Sequence, residues 1–316
     1  MKDKYGRDIT YLRISITDEC NLRCLYCMPE EAGSAAKSCS LMSVDEIEEI
    51  VRQAAELGIY KIRITGGEPL VRPDVIEICR RVSAVPGIRE LAVTTNGILL
   101  KDMAYQLKEA GVSRLNISLD TLQTDKYTKI TRKGNYESVA EGIKMAAKAG
   151  LTPIKINTVL IGGFNDNEIR DFAELTRRDN IEVRFIELMP IGACASFTKH
   201  AFIKGDTVLE AIPELIEMEY SGVARMYQYP DGKGRIGIIS AVNQHFCLSC
   251  NRIRLTCDGK LKPCLHSRDE ILVRGLKGEA LKTALEQAIL NKPAQHVNLT
   301  YGYVSETDRY MNQIGG

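Results

Sequence analysis

The sequence predicts an α/β fold: an incomplete (βα)6 TIM-like barrel followed by a looser C-terminal region. Three observations carry this. Helical patterns end at glycine and give way within two or three residues to a strand; six β-rich stretches occur before residue 190; and along them polar or charged residues alternate with apolar ones. Parallel strands covered on both faces read as continuous apolar runs, so this alternation leaves one face polar. A curved sheet can turn that face onto a cavity while the apolar face packs against an outer ring of helices. The expected division is a barrel over 1–190 and a C-terminal region over 191–316.

The first strand is "YLRISIT" (11–17), with Arg13, Ser15 and Thr17 on one face. The helix "SVDEIEEIVRQAAELG" (43–58) opens on a capping box of Ser43 and Glu46, aligns Ile47, Ile50, Val51, Ala54 and Leu57, and closes on Gly58. The strand "YKIRIT" follows at once and places Lys61, Arg63 and Thr65 on the polar face. "ELAVTT" comes next, then "RLNISLD" after Gly111, carrying Asn116, Ser118 and Asp120. "PIKINTVLI" after Gly150 carries Lys155 and Asn157, and "IEVRFIEL" carries Glu182 and Arg184. Beyond residue 190 the pattern loosens through "GACASFTKHAFIKGD" and "YPDGKGRIGIIS", leaving a cysteine-rich stretch, a helix over 269–290 and a polar tail ending "MNQIGG".

A chain of 316 residues buries roughly three quarters of its unfolded surface, so it needs no metal to fold. The start "MKDKYGRDIT" lacks an apolar run and no stretch reaches the length of a membrane span, which predicts a soluble, cytoplasmic protein. In such a chain ten clustered cysteines point to metal rather than disulfides. The net charge of +1 argues against nucleic-acid and membrane-surface partners, while allowing a local basic pocket.

"TDECNLRCLYCMPE" (17–30) puts Cys20, Cys24 and Cys27 in a loop at the C-terminal end of the first strand, where barrel enzymes carry their sites. Three thiolates there can hold three irons of a four-iron cluster and leave the fourth open; a zinc site completed elsewhere is the plainer alternative. The cysteine spacing, with an aromatic before the third, resembles the radical S-adenosylmethionine superfamily. The resemblance implies that the open iron chelates S-adenosylmethionine and that an electron from the cluster cleaves it to a 5′-deoxyadenosyl radical. "ITGGEP" (64–69) is similar to that superfamily's glycine-rich motif, and "NISLD" and "RFIELMP" to its further cofactor-contacting strand ends, which implies cofactor contacts at Tyr26, Gly67, Ser118 and Met189.

In "HFCLSCNRIRLTCDGKLKPCLH" (245–266) a two-residue period sets Arg252, Arg254 and Thr256 on one face and Ile253, Leu255 and Cys257 on the other. Cys257 is thus expected in the core, leaving Cys247, Cys250 and Cys264 as a second open trio. Cys79 is expected in the core as well, Cys39 in a polar loop, and Cys194 has no assignment. His245 and His266 bracket the region and are left out of the ligand set.

The stretch "FCxxCNRxRLTxDGxLxxCL" with the terminal "IGG" resembles the GTP 3′,8-cyclase family, and the match runs from "GRDITYLRIS" through "TTNGILL" to the end. That resemblance implies two 4Fe-4S clusters, S-adenosylmethionine as cofactor and GTP as substrate. It implies GTP contacts at Arg13, Arg63, Thr94, Lys155, Arg252 and Arg254, and catalytic roles for Arg252, Arg254 and the tail residues Gly315 and Gly316, the tail entering the active site. Cyclisation to 3′,8-cyclo-7,8-dihydro-GTP opens molybdenum cofactor biosynthesis, and an external one-electron reductant such as flavodoxin or ferredoxin is implied. A homodimer is left open.

Strand parity had put Arg13, Lys61, Arg63, Lys155 and Arg184 on one interior face, where a triphosphate would balance most of their charge. The alternative is a purely structural network with Glu68, Asp120, Glu182 and Glu187. Departures from the family pattern are Glu19, where many members carry a basic residue, and Cys257, where they carry a small apolar one. A radical peptide maturase, which would carry more C-terminal cysteines, and a zinc-stabilised nucleotide-binding protein are the competing readings.

Overall fold

The structure, a computed structural model, describes residues 1–29, 40–243, 246–296, 299 and 305–315, without the side chains of 195 and 196. Its first half alternates as the sequence predicts: β1 (Tyr11–Ser15), α1 (Val44–Glu56), β2 (Lys61–Thr65), α2 (Val75–Ala84), β3 (Glu90–Thr95), α3 (Leu100–Glu109), β4 (Arg114–Ser118), then α4 (Thr124–Thr131) and α5 (Tyr136–Lys148), β5 (Ile154–Leu160), α6 (Ile169–Arg178) and β6 (Ile181–Glu187). β1 to β6 pair in order and in parallel.

Local chemistry explains the junctions. The Ser43 hydroxyl accepts from the Glu46 N–H while the Glu46 carboxylate accepts from the Ser43 N–H, closing the α1 capping box at 3.1 and 2.8 Å. Ile47, Ile50, Val51 and Ala54 are buried beneath it. Gly58, Gly111 and Gly150 leave their helices at φ of 90°, 87° and 73°, a region that costs a side chain energy and glycine little. Each glycine thus lets the chain reverse directly into the next strand.

The C-terminal half departs from expectation. Where the sequence pattern loosens, it supplies α7 (Thr207–Ala211), β7 (Ile216–Ser221), β8 (Ala224–Gln228), β9 (Arg235–Ile239), β10 (Arg252–Leu255), β11 (Lys260–Lys262), β12 (Ile271–Leu272), α8 (Gly278–Leu290) and α9 (Met311–Ile314). β9 adds to β6 in parallel and β10 adds to β1 in parallel, so the sheet grows at both edges to twelve strands, ordered β12-β11-β10-β1-β2-β3-β4-β5-β6-β9-β8-β7. The sheet runs unbroken past residue 190 and does not close among the described strands.

The helix expected over 269–290 is also corrected. It begins only at Gly278; Ile271 and Leu272 pair with β11 instead, and Gly275 at φ 76° turns the chain between the two. The apolar spacing of "ILV" suited both periods, and pairing of the half-buried Ile271 opposite Leu261 decided for the strand.

On the outer face Leu12, Ile14, Ile62, Ile64, Val93 and Ile117 are fully buried against the helices in one continuous core. Cys79 belongs to it, as the sequence predicts, and Cys257 is 1% exposed. The register aligns Arg13 with Arg63 and with Arg254, and Thr94 with Asn116, Lys155 and Glu182, so parity puts all of them on the inner face.

Candidate active site

One cavity collects both cysteine trios: Cys20, Cys24 and Cys27 at one end, Cys247, Cys250 and Cys264 at the other. The topology sets them apart. The first trio follows β1 at its C-terminal end, whereas Cys250 stands two residues before the start of β10, whose Arg252 pairs with Tyr11 at the start of β1. The trios therefore face each other along the length of β1, whose five residues rise roughly 15 Å.

The first loop is pinned from several sides. Arg23 and Leu25 N–H groups donate to Thr131 and Ile130 carbonyls at the end of α4 at 3.0 and 2.9 Å, and the Cys27 N–H donates to the Cys24 carbonyl. The glycine pair holds it from the β2 side: the Gly67 N–H donates to the Thr17 carbonyl and the Glu68 N–H to the Glu19 carbonyl, each at 2.8 Å. A Cβ on Gly67 would stand 2.2 Å from the Glu19 carbonyl oxygen, so bare backbone is required there by the protein's own packing.

Two buried carboxylates brace this end. Glu68 accepts from the Thr95 hydroxyl and from the Leu70 and Asn96 N–H groups, and Asp120 accepts from the Tyr26 hydroxyl at 2.7 Å and the Val159 N–H at 2.8 Å. Burial pushes Glu68 up to about 7 and Asp120 up to about 6, against the pull of those donors. Burial likewise pushes the Cys20 thiol up to about 11 and Cys27 up to about 12. Cys250 at the other end sits in the opposite field: its burial is outweighed by Arg252 and Lys292, which bring its thiol down to about 6.

Between the trios the floor is cationic. Arg13, Arg252 and Arg254 border the cavity and none has a carboxylate partner among the described residues. Tyr11 lies among them, with Lys61, Arg63 and Arg13 at 5.2, 5.5 and 5.8 Å from its ring centre. Burial opposes ionisation of its hydroxyl, but Arg63, Arg13 and Arg252 bring it down to about 7. The Arg13 and Arg63 Nε, the Thr94 hydroxyl and the Asn116 amide, all buried, find no hydrogen-bond partner among the described residues. Of these, Arg13 and Thr94 border the cavity, and orphaned donors on a cationic floor suit a polyanionic ligand rich in acceptors.

The structure distributes the expected site residues unevenly. Tyr26, Gly67, Ser118, Met189, Arg13, Thr94 and both Arg252 and Arg254 border the cavity; Arg63 and Lys155 do not. Lys155 donates to both Glu182 oxygens at 2.6 Å, and Arg184 also pairs with Glu182. Lys61 pairs with Glu90 at 2.8 Å. Of the four carboxylates weighed as a structural network, only Glu182 neutralises cations of this set; Glu187 instead accepts from Gly205, Val242 and Asn243 N–H groups.

The tail is bound within this end of the fold. Arg254 donates to the Ile314 and Gly315 carbonyls, Asn312 donates to the Asp18 carbonyl at 3.0 Å, and a Cβ on Gly315 would meet the Thr65 side chain at 2.3 Å. Gly316, Cys39 and His245 lie outside the described residues. Cys194, which the sequence leaves without a role, is buried and directs its thiol to the Tyr26 carbonyl at 3.1 Å. His266 borders the cavity with Nδ1 3.0 Å from the Ser305 hydroxyl.

Sequence reading missed Asn96, Arg7 and Lys292 at this cavity. Asn96 follows a strand end in "TTNG", the position where its neighbours carry site residues, and that placement could have flagged it. Arg7 and Lys292 gave no signal, because contacts across 240 residues for Arg7 and 40 for Lys292 bring them in.

The donor sets fit iron–sulfur centres. All six cysteines are free thiols facing one cavity. Among the described residues no three thiol, imidazole or carboxylate groups stand close enough for a single ion, and a cluster binds each thiolate through a different iron. Cys257, buried on the outer face away from the cavity, is not among these donors. Cys257→Ala is expected to keep the full iron content of wild type in an iron and sulfide assay; loss of about half would make it a ligand.

Residues 14–176 match the Radical SAM superfamily and residues 181–298 match Molybdenum Cofactor Synthesis C. The chain is 50% identical over 321 residues to GTP 3′,8-cyclase of Alkaliphilus oremlandii (strain OhILAs) and 49% identical over 321 residues to that of Alkaliphilus metalliredigens (strain QYMF), in both cases covering 100% of each chain. Among solved structures, Streptococcus suis SuiB bound to S-adenosylmethionine gives a TM-score of 0.64 at 16% identity, over 93% of this chain and 67% of that one. Native anSMEcpe with bound AdoMet gives 0.59 at 15%, over 88% and 84%. At such identity these two likenesses speak for the fold alone.

Proposed function

Because the chain belongs to the GTP 3′,8-cyclase family of the radical S-adenosylmethionine superfamily, we propose that its two ends divide one reaction between them. The reaction is the cyclisation of GTP to 3′,8-cyclo-7,8-dihydro-GTP, the first step of molybdenum cofactor biosynthesis. The observation that carries the division is two cysteine trios across one cavity, with guanidinium groups between them that lack carboxylate partners among the described residues.

Cys20, Cys24 and Cys27 would hold one 4Fe-4S cluster and Cys247, Cys250 and Cys264 the other. Held by Cys20, Cys24 and Cys27, the one would supply the electron that S-adenosylmethionine cleavage needs; held by Cys247, Cys250 and Cys264, the other would supply an open iron for the purine. Tyr26, Gly67, Ser118 and Met189 line the S-adenosylmethionine end, where Tyr26 is held by Asp120. Arg13, Thr94 and Arg252 offer charge and donors to the triphosphate and ribose; Arg252 is steadied over the Phe246 ring at 5.2 Å. Arg63 lies behind Arg13 and adds to the field from outside the lining, and Lys155 keeps Glu182 rather than a phosphate. Arg254 holds the tail at Ile314 and Gly315 against Thr65 of β2, where the tail would help exclude water and so protect a reactive radical from side reactions. No helix among the described residues is long and apolar enough to cross a membrane. The reductant is an external one-electron carrier of the flavodoxin or ferredoxin type.

With dithionite as electron source, 5′-deoxyadenosine formation is expected to rise with added GTP; indifference to GTP rejects the cyclase reading. In the same assay Arg252→Ala is expected to weaken GTP binding by about 10- to 100-fold, the loss of one or two charge-assisted hydrogen bonds. Unchanged affinity would remove Arg252 from the substrate site.

A further inference from the structure

The N-terminal segment carries a built device that the reaction scheme leaves unused. Asp3 accepts from the N–H groups of Tyr5 and Arg7 at 2.9 Å, making a tight turn through Gly6 at φ 79°, and pairs with Arg7 Nε at 2.6 Å. The Arg7 guanidinium, its side chain 7% exposed, reaches across the molecule to main-chain carbonyls: Cys247 at 2.7 Å, Ala294 at 3.0 Å and Pro293 at 2.7 Å. Next to Pro293, Lys292 is buried just beyond α8 and donates to the Arg252 carbonyl at 2.9 Å and the Pro263 carbonyl at 3.0 Å. Pro263 directly precedes Cys264 and Arg252 lies two residues past Cys250. The 292–294 stretch is therefore a hub through which the three segments bearing the second trio are tied together.

We propose that Arg7 and Lys292 are positioning residues for the second trio: two buried cations that lock the Cys247, Cys250 and Cys264 segments in register through carbonyl contacts and place positive charge beside their thiolates. The inference rests on the reading of that trio as a cluster site. Charge supports it. Arg7 is offset by Asp3, but Lys292 has only carbonyl partners and no carboxylate among the described residues. An unpaired buried ammonium is costly, and metal-bound thiolates in the same cavity would be the anions that offset it. Residues behind metal ligands fix ligand orientation, and their loss typically costs 10- to 100-fold in metal affinity.

The test separates the two sites. In a Cys20→Ala, Cys24→Ala, Cys27→Ala background, anaerobically reconstituted protein is expected to hold about four iron per chain at the second trio. Adding Lys292→Gln or Arg7→Gln should lower iron affinity there by roughly 10- to 100-fold in a chelator competition and shift the electron paramagnetic resonance of the reduced cluster, with Arg7→Lys intermediate. In the reciprocal Cys247→Ala, Cys250→Ala, Cys264→Ala background the same substitutions should leave iron binding at the first trio unchanged. Unchanged affinity and spectrum in the first background overturn the proposal, as does equal loss in both, which would mark a general folding defect. If the first background holds no iron even with Arg7 and Lys292 intact, the cluster reading itself fails and the proposal falls with it.

Discussion

Replacing Cys20, Cys24 and Cys27 together by Ala is expected to abolish 5′-deoxyadenosine formation and to remove about half of the reconstituted iron. The three thiols converge from one loop that both α4 and the β2 end hold in place by main-chain hydrogen bonds, so the substitution empties the donor set without dismantling the scaffold. The first loop also differs electrically from the second. Burial, with Glu68 and Asp120 nearby, keeps its thiols up at about 11 and 12, so metal binding there has to displace protons, whereas Cys250 already sits at about 6. Raising the pH of reconstitution from 7 to 9 should accordingly speed loading of the first trio more than the second. Retained 5′-deoxyadenosine formation in the triple variant would dismiss the first trio as the S-adenosylmethionine cluster.

Glu182→Gln is expected to cost about 3–5 kcal/mol of stability, the usual consequence of removing one partner from a buried ion pair. Glu182 receives Lys155 on both oxygens and Arg184 on one, and Glu182 and Lys155 are less than a tenth exposed. The pH dependence has a definite sign. Burial first, then Arg184, holds Lys155 down at about 8 from the ordinary 10.5, while Glu182 pulls the other way. A base whose folded pKa is depressed carries its full penalty below that value and is relieved as the pH rises. The gap between Glu182→Gln and wild type should therefore narrow between pH 7 and 9, as Lys155 loses its proton in both. Denaturant unfolding at the two pH values measures it; a gap that widens, or a cost below about 1 kcal/mol, would remove this triad from the account of stability. Adding Lys155→Met to Glu182→Gln should recover much of the loss, since no buried ammonium is then left alone.

The sequence by itself determined the barrel units and the chemistry at its mouth. The period of two along β1, β2, β4, β5 and β6 assigned each side chain a face, because a strand's alternation is fixed by covalent geometry and cannot be altered by packing without flipping every residue. The glycines at 58, 111 and 150 were legible for the same local reason: each demands a left-handed turn at its own position. The cysteine loops were legible because their ligand spacing is short-range.

What only the tertiary structure decided lies in contacts between distant segments. The barrel gains β9 and β10 at opposite edges; the two-residue period marked β10 in the sequence, but only the open edges of β6 and β1 decided where the two strands pair. The "ILV" stretch became strand rather than helix when Leu261 offered it a partner. Charge followed geometry in the same way: parity put five cations on one face, but side-chain reach decided that Glu182 takes Lys155 and Arg184, that Glu90 takes Lys61, and that Arg13 has no carboxylate partner among the described residues. Which cations remain free, and which carbonyls Arg7 and Lys292 hold, depends on distances a linear pattern does not encode.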